Sequence, residues 1–273
     1  MSCERANSGV TFIGTASHSG STLLGLMLGA HPRIFYAGEA CKINHFLSPS
    51  RPAHKRHCAV CGPRCRIWAG LRPGERPDLY EVLSRRSGRP LVFDSSKNTT
   101  WIGEQTGLLR GVVPLRLIVL TRDGRGVVNS YLRKHPSLPA DEHVRTWLSR
   151  MRAVERLAGQ WPGPVHRVRY EHLTTEPGLR LREIARFLGV PYVPEMASPW
   201  SCEHHPMAGN KGTRSLLSRG PGAPAPPDRP WYTAERTRLA PDLRWRHELG
   251  EAALAVFEEL AGAANRPYAW DEP

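Results

Sequence analysis

Short apolar blocks alternate with longer amphipathic ones along the chain. The run VTFIG at residues 10–14 is almost continuously apolar and ends on a glycine, the pattern of a buried strand. Residues 21–30 are apolar with good helix formers, and the predicted helix stops at His31-Pro32, because the residue before a proline is pushed out of helical backbone. Further strands are predicted at 90–94 (PLVFD), 115–121 (LRLIVLT) and 165–170 (VHRVRY). A helix is predicted from Gly124 to about Arg133. Another covers 141–159, where Val144, Trp147, Leu148, Met151 and Val154 recur at spacings of three and four. Two more are predicted over 177–188, stopped by Gly189, and over 248–260. Strands alternating with helices predict an α/β protein with one doubly wound parallel sheet and its ligands at the carboxyl ends of the strands.

Two stretches interrupt this rhythm. Residues 45–77 are rich in Pro, Arg, His and Cys, and residues 191–230 carry little periodicity. Within the second, GPGAPAPPDRP at 220–230 reads either as a mobile linker or as the edge of an ordered lid. No internal repeat is evident. The 273 residues are therefore read as a single domain, 1–273, with a Cys-rich insert at about 41–77 and a Pro-rich loop at about 215–230. A chain of this length buries enough surface to need no disulfide staples. Six Cys, four of them between Cys41 and Cys65, do not resemble a secreted disulfide scaffold. No secretory leader is read at the start, and no apolar run approaches the ~20 residues of a membrane span. A cytoplasmic, reducing location is expected. The net charge of +13 favours an anionic partner, whether nucleic acid, a membrane surface or a phosphorylated small molecule.

The loop GTASHSGST, residues 14–22, joins the first strand to the first helix. Backbone N–H groups at a helix start, with the positive end of the helix dipole, form an anion site. Gly20 admits a phosphate close to the backbone, and the Ser21 and Thr22 hydroxyls add donors. Counting from Gly14, the nucleotide-hydrolase pattern GxxxxGK[ST] would need Gly and Lys where Ser19 and Gly20 stand. The loop is P-loop-like without its lysine, which counts against a nucleotide kinase or hydrolase. A three-layer fold, a central parallel sheet flanked by helices, follows. A second anion site is read in LIVLTRDGRGVVNSY, residues 117–131, where Arg122 ends a strand with a planar fork suited to phosphate. Ser130 lies two turns along the following helix and Lys134 one turn further, on roughly the same face. The alternative is that Arg122 and Asp123 form a surface ion pair beside a helix cap.

These motifs resemble those of sulfotransferases that use 3′-phosphoadenosine 5′-phosphosulfate, most of all the branch of tyrosylprotein sulfotransferases and their bacterial relatives. The run SHSGSTLLGLMLGAHPRIFYAGEA is similar to the family's first motif, with His31-Pro32 and Gly38-Glu39 in the family's order, although His18 stands where the loop usually has Arg or Lys. The resemblance implies that Ser19, Gly20, Ser21 and Thr22 hold the 5′-phosphate, that Arg122 and Ser130 bind the 3′-phosphate, and that Lys134 assists. DSSK, ending at Lys97, follows the second strand, where the family carries a lysine facing the transferred group. VRYEHL resembles the segment whose tyrosine, here Tyr170, contacts the nucleotide. HHPMAGNKGTR resembles the late loop that folds over the 3′-phosphate and adenine, which implies Gly209, Asn210 and Arg214. The likeness runs from about Val10 to Arg214.

The implied reaction moves a sulfuryl group to a hydroxyl or amine, leaving 3′-phosphoadenosine 5′-phosphate. Such transfers proceed through a loose in-line transition state, so the protein positions and stabilises. Lys97 and a protonated His18 would meet the growing charge. Glu39 matches the family's base position, and His18 is the competing base. No catalytic metal is implied. In HCAVCGPRC, Cys58, Cys61 and Cys65 could give three ligands of a structural zinc site, with Cys41, His54 and His57 nearby in sequence. Reduced structural thiols and a disulfide are the alternatives. The acceptor, whether small molecule, carbohydrate or peptide, is not encoded in any motif, and neither is the oligomeric state. A nucleic-acid-binding protein is the remaining rival, but no zinc-finger, helix-turn-helix or RNA-binding signature accompanies the charge.

Overall fold

The first strand, β1 (Gly9–Gly14), is buried at every position and lies at the centre of the sheet. Its residues alternate between two cores: Val10 and Phe12 face one, Ile13 the other. In β4 (Leu115–Thr121), Leu117 and Val119 likewise face the first core, and Ile118 and Leu120 the second. The apolar runs are continuous because both faces of the sheet are covered.

In this computed structural model the described residues are 4–52, 56–58, 60–72, 78–217 and 237–271. The sheet is parallel, in the order β2-β3-β1-β4-β5, where β2 is Ile34–Gly38, β3 Leu91–Asp94 and β5 Val165–Arg169. From β1 the chain passes through helix α1 (Ser21–Gly29) to the edge strand β2, returns in β3, then crosses to β4 on the other side of β1. The carboxyl end of β1 is thus the topological switch point, where parallel α/β sheets open a crevice.

Helices α2 (Ile43–Leu47), α3 (Leu79–Ser87) and α4 (Thr99–Leu109) occupy the β2–β4 portion of the sequence. Then come α5 (Gly124–Lys134), α6 (Ala140–Gly159), α7 (Tyr170–Thr175), α8 (Pro177–Leu188) and α9 (Lys211–Ser215). The chain ends with α10 (Trp245–Glu248) and α11 (Glu251–Asn265). On one side of the sheet, α3, α4 and the insert residues Ile67 and Trp68 share a core with β1 and β4; α1 and α8 share the core on the other side. A third cluster joins α5, α6 and α11 around Trp147 and Phe257.

The sequence-based strands and helices recur in the fold, with differences in detail. Strand β2 lies inside the stretch read only as a motif. Helices α3 and α4 lie where no helix is predicted, α4 starting from Asn98, whose side chain accepts the Trp101 N–H. The last helix begins at Glu251 rather than 248, because the chain turns extended at Leu249 and restarts at Gly250. The proline tract at 220–230 and the N-terminal residues 1–3 lie outside the described residues. No helix among the described residues is long and apolar enough to cross a membrane.

Candidate active site

The phosphate loop leaves β1 and reaches Gly20, the cap of α1, in left-handed backbone at φ 92°. A glycine is required twice over, since a Cβ here would also lie 2.5 Å from the Tyr170 ring. No side chain caps this helix start and no acidic residue occupies its first turn, so the dipole end is left for an anion. Ser19, Ser21 and Thr22 are buried around it. His18 is also held at positive φ, 65°, with its ring edge-on to Tyr131.

Arg122 comes to this loop from the end of β4. Its Nη1 donates to the His18 carbonyl at 2.8 Å, and its guanidinium lies 4.7 Å from the centre of the Tyr170 ring. The two turns read as phosphate-binding therefore touch. Tyr170 is the first residue of α7 rather than the last of a strand, and its hydroxyl accepts the Asp242 N–H. The next residue, Glu171, is buried and accepts the Asp123 N–H at 3.0 Å; burial pushes its carboxyl above the usual range. Asp123 caps α5 by accepting the Arg125 N–H and holds the Arg125 guanidinium at 2.7 Å. The Arg122–Asp123 pair considered from the sequence is not what forms: Asp123 pairs with Arg125, and Arg122 is turned to the loop.

Arg122 also meets a segment that no motif announced. Its Nη2 donates to the Asp242 carbonyl at 2.8 Å and stands 3.5 Å from the Asp242 carboxylate. Burial alone would raise the Asp242 carboxyl, but the fork of Arg244 and the charge of Arg122 outweigh it and hold it well below the usual carboxylate range. Nothing local marks Asp242, which lies 120 residues from its partner.

Lys97 and Glu39, far apart in sequence, form an ion pair at 2.8 Å, each less than a quarter exposed. Their placement depends on Asp94, the fully buried end of β3. One carboxylate oxygen accepts from the Ala40 N–H and from the Ser96 N–H and hydroxyl; the other accepts from the Tyr80 hydroxyl and the Trp101 indole. Burial raises this carboxyl, and the five donors work against the rise. Asp94 thereby fixes the turns on either side of Lys97 and Glu39. Glu39 precedes a 3-10 turn, Ala40–Lys42, without capping it, so its carboxylate serves no helix end.

The late loop closes over this arrangement. Met207 pairs with the end of β2: its N–H donates to Ala37, and its carbonyl accepts the Glu39 N–H at 2.6 Å. Gly38, at φ +76°, leaves room for that backbone, which any Cβ would strike. The Asn210 N–H donates to the Thr22 hydroxyl, 188 residues away, and its side chain caps α9, which contains Arg214. Ser130 spends its hydroxyl on Gly126 of its own helix, and Lys134 ends that helix at the surface.

Burial and the surrounding charges bear on the two roles considered for His18. Burial first, then Lys134, Arg122, Lys97 and His135, lower its pKa from 6.5 to about 4. A proton on this imidazole is thereby disfavoured in the unliganded protein, which favours the reading of His18 as a neutral base over the protonated one. The charges of Lys134, Arg122 and Lys97 all act on this ring.

Apart from this group, Cys58, Cys61 and Cys65 gather with His205, their donor atoms all within 4.8 Å of one another. The fourth member is neither Cys41 nor His57; His54 lies outside the described residues. The described cysteines are free thiols.

The switch point of the parallel sheet carries an uncapped glycine-led helix start, faced by an arginine from the adjacent strand, an arrangement suited to an anion. Residues 11–194, well over half of the 273, match the model of the Sulfotransferase family, and the chain belongs to that family. It is a sulfotransferase. The chain is similar in fold to the sulfotransferase domain of the olefin synthase of Synechococcus PCC 7002. The identity is 20%, the TM-score 0.60, and the match covers 99% of this chain and 98% of that one. It is similar also to the sulfotransferase domain of the curacin biosynthetic pathway, with 18% identity, a TM-score of 0.56 and coverage of 94% and 99%. No curated protein sequence matches the chain.

Proposed function

We propose that the chain transfers the sulfuryl group of 3′-phosphoadenosine 5′-phosphosulfate to a hydroxyl or amine of a small molecule, carbohydrate or peptide, with Glu39 as the base. The observation that carries this is the contact between the two anion-binding turns, Arg122 on the His18 carbonyl, which brings both phosphates of one adenosine within reach of a single crevice. Backbone N–H groups of residues 19–22 hold the 5′-phosphate. Arg122 and Ser130 take the 3′-phosphate with help from Lys134, Tyr170 lines the nucleotide, and Gly209, Asn210 and Arg214 fold over it.

In the transfer, the acceptor oxygen or nitrogen bonds to sulfur as the bond from sulfur to the bridging oxygen breaks. The acceptor proton passes to the Glu39 carboxylate, and 3′-phosphoadenosine 5′-phosphate leaves. Lys97, already on Glu39 at 2.8 Å, meets the charge that builds on the bridging oxygen. His18 donates an N–H as a neutral ring, and its neutrality also leaves it open to serve as base in place of Glu39. The thiols of Cys58, Cys61 and Cys65 belong in this scheme to a structural zinc ion, not to the transfer.

The test is a calorimetric titration with 3′-phosphoadenosine 5′-phosphate and, separately, ATP. The bisphosphate binds more tightly, and Arg122→Ala weakens it about 10- to 150-fold, the ~1.5–3 kcal/mol of a charged hydrogen bond. Equal affinity for the two nucleotides, or an unaffected Arg122→Ala, overturns the assignment. An acceptor screen with labelled donor then identifies the second substrate.

A further inference from the structure

Cys58 and residues 60–65 form a hydrogen-bonded turn. The Gly62 N–H donates to the Cys58 carbonyl at 2.9 Å, closing a tight turn in which Gly62 takes φ +73°. The Cys65 N–H returns to Gly62, and the Ala69 N–H to Cys65. This turn points three sulfurs towards one spot. His205 enters the same spot from 140 residues away, its Nδ1 at 3.2 Å from the Cys61 sulfur and 3.4 Å from the Cys65 sulfur. Four ligands around tetrahedral zinc stand about 3.6 Å (S to N) and about 3.8 Å (S to S) apart, from bond lengths of ~2.3 and ~2.05 Å. The cluster is already near that spacing.

The far side of the imidazole supplies an independent sign. His205 Nε2 lies 2.8 Å from the Glu203 carboxylate, which also holds Arg66 at 2.9 Å. That carboxylate fixes the proton on Nε2 and leaves the Nδ1 lone pair aimed at the sulfurs, the arrangement that orients zinc-bound histidines. His205 is buried, as are Cys58 and Cys65, and the Trp68 indole donates to the His205 carbonyl.

We propose that Cys58, Cys61, Cys65 and His205 bind one zinc ion, and that this ion fastens the Cys-rich insert to the late loop and so holds that loop over the phosphate loop. On binding, three thiol protons pass to solvent and three thiolates and one neutral imidazole bond to the ion, giving a centre of net charge −1. All four positions of the tetrahedron are taken by protein, so the ion is structural. The mechanical link is short. His205 is two residues from Met207, whose carbonyl accepts the Glu39 N–H, and five from Asn210, whose N–H donates to Thr22. The insert end is anchored by Ile67 and Trp68 in the core and by Arg86, which donates to the Ile67 and Ala69 carbonyls. The metal site stands on its own geometry; its effect on nucleotide rests on the function proposed above.

The experiment uses the full chain purified without chelator. Elemental analysis is expected to give about one zinc per chain, and His205→Cys to keep it while His205→Gln loses most of it. Cobalt exchanged into the wild-type protein is expected to show the visible bands of tetrahedral cobalt with thiolate charge transfer, a readout that needs no variant. Less than a tenth of an equivalent of zinc that added zinc does not restore, a different bound metal, or a disulfide among these three cysteines each overturns the site. Metal-stripped and zinc-loaded protein are then titrated with 3′-phosphoadenosine 5′-phosphate. At least tenfold weaker binding after stripping supports the clamp, and equal binding overturns it. Should the zinc-loaded protein bind no bisphosphate, the proposed function fails while the zinc count still decides the site.

Discussion

The chemistry at single residues is set by neighbours that arrive from elsewhere in the chain. Glu39 and Lys97 illustrate this, because each is an ordinary charged residue until the pair forms at 2.8 Å. With Glu39 as base, Glu39→Gln lowers turnover at least about tenfold, within the range for a lost general base, and leaves bisphosphate affinity within about twofold. Steady-state rates beside a binding isotherm check this, and normal turnover moves the base role to His18. For His18 itself the sign of the pH effect follows from its lowered pKa. Between about 4 in the folded protein and the ordinary 6.5, the unfolded chain binds a proton that the folded chain refuses. Stability of the unliganded protein is therefore undiminished by this group above pH 6.5 and falls as pH drops towards 4. Urea midpoints across that window should decline less in His18→Asn than in the parent, and parallel slopes would show that other groups carry the decline.

At the scale of elements, the site is an agreement among strand ends. Asp94 at the end of β3 ties the turns bearing Glu39 and Lys97 to the core through Tyr80 and Trp101. The end of β4 sends Arg122 to the loop after β1, and the start of α7 lays Tyr170 against Gly20. The segment before α10 adds a carboxylate to this agreement. Asp242 stays ionised and stands 3.5 Å from Arg122, so an arriving phosphate competes with it. Asp242→Ala is expected to tighten bisphosphate binding about three- to fivefold, matching the ~0.5–1 kcal/mol of a partly exposed ion pair. Weaker binding in that variant would instead mean that Asp242 holds Arg122 in its working position.

Over the whole molecule, α11 packs against the start of α5, beyond the carboxyl end of β4. Asn265 in α11 is buried; its Oδ1 accepts the Gly124 N–H at 2.8 Å and its Nδ2 donates to Asp123. The Trp270 N–H donates to Asp123 as well. The start of α5, which follows Arg122, thus depends on residues 141 positions later. Asn265→Ala leaves a buried N–H without its acceptor and should cost about 1–3 kcal/mol of unfolding free energy by urea titration. A cost below about 0.5 kcal/mol would place the clasp among dispensable contacts.

What the chain states locally, it states well. Continuous apolar runs mark β1, β3 and β4 because a parallel sheet covered on both faces needs no alternation, and Gly20, Pro32 and Gly189 mark turns and stops through backbone sterics that depend on no distant partner. Strand β2 is not marked because its residues, IFYAG, run on directly from helix α1 and His31-Pro32 with no separating loop, and α3 and α4 are not marked because their amphipathic signal is brief or weak beside the Cys-rich insert. The order of loop, lysine, arginine and late glycine-asparagine segment was legible, and it placed the candidate residues in one family. Three things were decided only in space. Arg122 turns to the phosphate loop and Asp242, not to Asp123; burial and surrounding cations lower the pKa of His18; and His205, not a neighbour in sequence, completes the thiol cluster. Each depends on which groups share a small volume at low dielectric, a property of packing that spacing along a chain does not encode.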